Sequence, residues 1–163
     1  MPVDPDHIGR NRPFPWRCWV CKKTEVFQDT IEYNTDRSHE GTNYHLEFPR
    51  LLVAKCRNCG DVTFDLFTSD QIEDALRVKA GLLMPEDVRS RRIALGLTRE
   101  ELSRRIGYPE DTIGKIEERL LIQSRALDIM LRIYFAFPGV REALNGGIPD
   151  RNLGLVELST AGK

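Results

Sequence analysis

The chain has 163 residues, a charged fraction of 30%, a hydrophobic fraction of 40% and a formal net charge of −1. That length holds one ordinary domain or two small ones, and the composition is that of a soluble globular protein. The near balance of 24 basic and 25 acidic residues excludes a wholly basic, non-specific nucleic-acid binder but leaves room for a local basic face.

No apolar run approaches the roughly 20 residues that span a bilayer. The N-terminus lacks the apolar core of a signal peptide, so a cytoplasmic location without membrane contact is expected. Residues 1–15, with their prolines and few apolar side chains, read as a flexible tail. Residues 16–67 form a first, β-rich domain. Thr24–Tyr33 alternates loosely through Val26, Ile31 and Tyr33. Tyr44–Lys55 is rich in Leu, Phe and Val, and Val62-Thr63-Phe64 follows the last cysteines. The polar segment 34–43 reads as a turn or an exposed loop.

At Thr68 the period changes. Thr68 and Gln71 have the spacing of a capping box. Ile72, Ala75, Leu76 and the stem of Lys79 then share one helical stripe, and Gly81 stops it. Residues 68–82 are thus a connecting helix.

Residues 83–145 read as an all-α domain. Pro85 opens a helix that runs to Leu95 and stops at Gly96. Thr98 and Glu101 form a second capping box, opening a short helix that ends at Gly107. Pro109 opens a third helix, carrying Ile113 and Ile116 inward. Ser124 caps a fourth, with Leu127, Met130, Leu131 and Tyr134 recurring at helical spacing. Pro138 breaks it before one last short helix, and residues 146–163 read as a second flexible tail.

Four cysteines stand as two CxxC pairs, Cys18-Trp-Val-Cys21 and Cys56-Arg-Asn-Cys59. Each CxxC turn can aim both sulfurs at one point about 2.3 Å from a metal, and two such turns complete a tetrahedron. Zn2+ suits this soft set, one ion per chain. Four thiolates leave no open position, so the ion would be structural. Disulfides, a redox CxxC and an iron–sulfur cluster are the alternatives. Lys22, Lys23, Lys55 and Arg57 lie beside the cysteines and would favour thiolates. His7, His39 and His45 are read as non-ligands, and Trp16 and Trp19 as covering the site.

In the helical domain, Leu97, Leu102, Ile106, Ile113 and Ile116 are placed to lock a helix-turn-helix around the turn at Gly107. Arg99 and Arg125 fall at helix starts, where side chain and free amides together can grip a phosphate. Arg104 and Arg105 read as a solvated face, and the stem of Arg91 as half buried.

Two CxxC pairs, the joining helix TSDQIEDALRVKAGLL, the stretch PEDVRSRRIALGLTREELSRRIGYPEDTIGKIEE and then IQSRALDIMLRIYF follow one another in the chain. This order resembles the MqsA/YgiT-type zinc-finger, helix-turn-helix antitoxins over about residues 16–144. The resemblance implies an α+β fold, in which a small zinc-bound β-rich domain is joined by a helix to a Cro/repressor-type helix-turn-helix domain. It implies a homodimer through the C-terminal domain that binds a palindromic operator in double-stranded DNA and represses its own operon. It also implies that the N-terminal domain can bind a ribonuclease-type toxin.

Carried over by position, Asp111, Thr112 and Lys115 would discriminate bases. Arg99, Arg119 and Arg125 would hold phosphates beside the Ser124 cap. Family members more often have neutral or basic residues at positions 110 and 111. Asp111 can accept from cytosine N4, whereas Glu110 and Asp111 in a first helical turn would favour the helix dipole. The alternative is a zinc-ribbon interaction module whose helix-turn-helix has lost DNA binding. No catalytic constellation can be assembled, so an enzyme is not expected.

Overall fold

The computed structural model describes residues 13–146. The tails expected over 1–15 and 146–163 fall outside the described residues except at 13–15 and 146, and His7 lies outside them. The fold is mixed α+β. An antiparallel sheet comprises β1 (Val26–His39), β2 (Thr42–Cys56) and β3 (Val62–Thr63), in that order. Six helices follow among the described residues: α1 (Leu66–Ala80), α2 (Pro85–Ala94), α3 (Arg99–Arg105), α4 (Thr112–Glu117), α5 (Arg125–Ala136) and α6 (Pro138–Asn145).

The hairpin is longer than the sequence predicts. Segment 34–43 is mostly strand, paired from Asn34 with Glu47 to His39 with Thr42. Only Glu40-Gly41 turns, with φ of +48° and +78°, the positive pair that a tight hairpin demands. The segment is polar because one face of it is open to solvent. Tyr33, Tyr44, Leu46 and Phe48 pack inward, whereas Asn34, Asp36, His45 and Glu47 are exposed.

Register slips in mid-hairpin: Ile31 pairs with Leu51, yet Tyr33 pairs with Phe48. Pro49 has no N–H for the ladder, and the additional β2 residue turns Phe48 and Leu51 to the same face. Below this bulge both faces are covered. Leu51 and Val53 meet Ile72 and Leu76 of α1, and Val26, Ala54 and Cys56 cluster with Cys18 and Trp16.

Helix α1 starts at Leu66 rather than Thr68. Asp65 is the cap, accepting from the Thr68 N–H at 2.8 Å. Thr68 and Gln71 serve β2 instead. The Thr68 hydroxyl and the Gln71 amide donate to the Leu52 carbonyl at 3.0 and 2.9 Å, and Leu52 N–H donates back to Gln71 Oε1 at 3.1 Å. Side chains thereby satisfy backbone groups that β3 is too short to reach. Lys79 is exposed, so it does not extend the inward stripe; Arg77 is the buried basic residue of this helix.

The capping box on α3 forms as predicted. Thr98 Oγ1 accepts from Glu101 N–H at 3.1 Å, and Glu101 Oε2 accepts from Thr98 N–H at 2.8 Å. Ser124 likewise caps α5, accepting from Leu127 N–H at 3.1 Å. Pro109 does not open α4: residues 109–111 form a turn, with Thr112 N–H on the Pro109 carbonyl at 3.0 Å. Leu97, Leu102, Ile106, Ile113 and Ile116 share one core with Leu127, Leu131 and Tyr134 of α5. Arg91 is exposed, not half buried, and its guanidinium lies 6.0 Å from the Phe135 ring centre.

Candidate metal centre and nucleic-acid interface

The two cysteine pairs are built alike. Lys22 N–H returns to the Cys18 carbonyl at 3.0 Å, and Gly60 N–H to the Cys56 carbonyl at 2.8 Å. Cys18 N–H and Cys56 N–H each reach the carbonyl five residues on, Lys23 and Asp61, at 2.8 Å. Lys22 and Gly60 both lie in the left-handed region, with φ of +61° and +78°. The turns meet because β2 delivers Cys56 to the base of the sheet, and the Trp16–Val26 bridge brings Cys18 beside it.

All four sulfurs lie within 4.8 Å of one another. Cys18 Sγ is 3.7 Å from Cys59 Sγ, and Cys21 Sγ is 3.6 Å from Cys56 Sγ. Bonds of about 2.3 Å to a central ion would give a tetrahedron with edges of about 3.8 Å. The set therefore fits one metal ion, and all four cysteines are free thiols. The thiols do not ionise alike. The Lys23 backbone amide, helped by the facing thiols, lowers Cys21 to about 7. At Cys59 the Asp61 backbone amide pulls down, but burial and the crowding of Cys56, Cys18 and Cys21 push the thiol up to about 12. A cation at the centre would remove the mutual repulsion that keeps the last proton on.

Trp16 packs against the cysteine cluster, as expected of a cover. Trp19 is 49% exposed and lies beneath the Lys22 ammonium, 5.5 Å from the ring centre. Lys23 joins the two turns through Asn58 Oδ1 at 2.7 Å. His39 and His45 are outside the sulfur cluster; His45 Nδ1 instead meets Asp36 at 2.7 Å. Lys22→Gly is expected to stabilise the module by about 0.5–1 kcal/mol, because glycine adopts this backbone without strain and only an exposed cation–π contact is lost. A urea midpoint that stays level or falls would show that the lysine contact outweighs the strain.

The second group of predicted residues is split by the structure. Arg104, Glu110, Asp111 and Lys115 come together on the outside of the α3–α4 pair, with side chains 65%, 65%, 61% and 51% exposed. They are paired there: Arg104 with Glu110 at 2.9 Å, and Lys115 with Asp111 one turn away. The Lys115 ammonium holds the Asp111 carboxyl below its usual range. Glu110 and Asp111 precede the first turn of α4; Asp111 is its cap residue, but its side chain makes no cap hydrogen bond and faces Lys115 instead.

Two residues are placed otherwise than a DNA contact requires. Thr112 is 7% exposed and packs inward, so it is not offered to a base. Arg119 follows the cap of α4 at φ +64°. Leu120 N–H reaches back to Lys115 O at 2.8 Å and Arg119 N–H to Ile116 O at 3.1 Å, the left-handed ending usually given to glycine. Its guanidinium is held by Asp74 of α1 and Glu86 of α2. Arg119 thus ties the connecting helix to the helical module instead of reaching outward.

Arg99, at the start of α3, donates to Glu117 at 2.9 Å and to Glu118 at 2.6 Å. Glu117 is the group that sequence reasoning missed. Its side chain is fully buried, and it accepts from Arg92 Nε and Nη2 at 2.6 and 2.9 Å as well as from Arg99. Burial alone would raise its carboxyl, but the two guanidiniums hold it below the usual value of 4.5. Arg92 also donates to the Leu97 carbonyl at 2.7 Å, so one carboxylate pins α2, α3 and α4 together.

The last predicted pair, Ser124 and Arg125, begins α5. Arg125 N–H donates to Glu40 Oε2 of the hairpin turn at 2.7 Å. No helix among the described residues is long and apolar enough to cross a membrane. No protein-family model matches the chain, and neither does any curated protein.

Proposed function

We propose that this chain is a transcriptional regulator that binds double-stranded DNA, of the antitoxin type that represses its own operon. The reading rests on the α3–α4 pair. Leu102 and Ile106 of the first helix and its cap lock against Ile113 and Ile116 of the second, and Ile113 N–H donates to the buried Ser103 Oγ at 3.2 Å. A sharp turn at Gly107, φ +76°, leaves the outer side of α4 open. This supports reading α4 as a helix that enters the major groove while α3 crosses the backbone. Lys115 and Asp111 are then the base readers, and Arg99 and Arg104 approach phosphates. The exposed partners Glu118, Glu110 and Asp111 are weak competitors, since exposed ion pairs contribute only about 0–1 kcal/mol; Arg99 keeps its bond to the buried Glu117 and turns only its Nη1 outward.

The thiolate set favours zinc, held for folding alone because four cysteines leave no site for a substrate. A dimer through the helical domain is supported by Ile129, Ile133 and Phe137, exposed at successive turns along and beyond α5. A toxin contact on the N-terminal domain is supported by the exposed Trp19, Val20, Phe64 and Phe67.

A second reading, an interaction module without DNA affinity, is favoured by the carboxylates that meet Arg99, Arg104, Lys115 and the Arg125 amide. Fluorescence anisotropy with the DNA upstream of the gene separates the two. The metal-loaded protein is expected to bind with an affinity that falls steeply between roughly 50 and 200 mM salt. Lys115→Ala is expected to cost at least about 1 kcal/mol of that binding. Absence of binding at low salt would discard the regulator and leave the interaction module.

A further inference from the structure

The turn of the β1–β2 hairpin reaches across to the helical domain and meets the first amide of α5. Ser124 already serves the third, so Glu40 and Ser124 together satisfy the start of that helix. Glu40 does this from an unfavourable backbone, φ +48°, a region that glutamate rarely occupies. The neighbouring His39 ring is 15% exposed, and its Nε2, 3.8 Å from Glu40 Oε2, has no hydrogen-bond partner. His39, Glu40, Thr42 and Tyr44 of the hairpin enclose a cleft of about 140 Å³ with Leu82 and Arg125. A carboxylate from the metal-binding domain therefore stands where a DNA phosphate would be gripped by the α5 amides and Arg125.

We infer that Glu40 is an intramolecular phosphate mimic, and that the docked hairpin is an autoinhibitory contact which DNA must displace. The inference rests on the DNA-binding reading above. The α5 start carries one anion at a time. With Glu40 seated, the incoming backbone meets a negative charge in place of free amides; with the turn lifted, Arg125 and two N–H groups are available to it. The weakness of a single exposed carboxylate-to-amide contact suits this role, because a phosphate bearing full charge can replace it.

Glu40→Gln and Glu40→Gly test the inference, the second also relieving the backbone strain so that the turn keeps its shape. Glu47→Gln, an exposed acid on the same hairpin that pairs with Asn34, down the ladder from the turn, controls for simple loss of charge. In anisotropy titrations with upstream DNA, both Glu40 variants are expected to bind roughly three- to ten-fold more tightly than the parent protein. The Glu47 variant is expected to gain less than two-fold, since exposed charges act weakly at a distance through about a Debye length of salt. Hydrogen exchange at residues 38–42 of the parent protein is expected to quicken when DNA is added. Parent-like affinity in both Glu40 variants, or an equal gain in Glu47→Gln, would overturn the autoinhibition while leaving DNA binding intact. A hairpin turn equally protected with and without DNA would also overturn it. If none of the proteins binds DNA at low salt, the regulator reading and this inference fall together.

Discussion

Cys56→Ser is expected to abolish binding of one metal ion at the four-cysteine cluster and to unfold the chain around the two cysteine turns and the strands β1 and β2, while the helices α2–α5 keep their fold. Cys56 is 1% exposed and sits at the base of β2, where it is both a sulfur donor and part of the small cluster with Val26 and Ala54. That cluster has four buried side chains, two of them cysteines of the set itself. A structural zinc site can supply on the order of 10 kcal/mol of folding free energy, more than a domain of this size has in reserve. A chelator should act like the substitution. The helical domain has a separate core around Leu102, Ile113 and Leu131, so its amides should stay protected in hydrogen exchange while those of β1 and β2 do not. A variant that is free of metal yet retains protected strands would refute the structural role.

Glu117→Gln carries the second large effect. Removing one partner of a buried ion pair typically costs about 3–5 kcal/mol, because the opposite charge remains buried without compensation. Here two guanidiniums lose the negative charge between them, and one of its two oxygens becomes an NH2 that cannot accept. Arg99, 32% exposed, keeps Glu118 and can turn to water; Arg92, at 11%, keeps only the Leu97 carbonyl and cannot. A shift of about 4–8 °C in melting temperature per kcal/mol is usual for so small a domain, so the variant should melt tens of degrees below the parent protein. A loss under about 1 kcal/mol would contradict the network as described.

The same group sets an acid dependence. Its folded carboxyl lies below 4.5, so the unfolded chain binds the proton more readily. The contribution of Glu117 is thus complete above pH 4.5 and fades as the pH falls through its lower folded value. In Glu117→Gln that part of the acid sensitivity should disappear.

Much of the skeleton was legible because local chemistry dictates it. The Thr98–Glu101 box, the Ser124 cap, the glycine stops and the cysteine pairs all act within a few residues of themselves. What was hidden acts at long range. The Arg92–Glu117–Arg99 knot joins residues 18 and 25 positions apart, and nothing local distinguishes Glu117 from its solvated neighbour Glu118. Thr68 has a capping sequence, but the backbone of Leu52 competes for its hydroxyl, and Asp65 takes the cap. The polar run 34–43 resembles a loop because a strand covered on one side alternates, and here the exposed residues are polar or charged. Arg119 and Thr112 show the same limit for the site. A place on or beside α4 is readable from sequence, whereas the direction of a side chain depends on what α1 and α2 bring beside it.

The bulged hairpin has one more consequence. Strand β1 lies at the margin of the sheet, and such a strand, 14 residues long, is a template on which a second chain can polymerise. The slip at Pro49 breaks its straightness, and Glu32, Asp36 and Arg37 stand exposed along it. Residues that add nothing to the core thus guard the chain against amyloid-like stacking at the concentrations of its own synthesis.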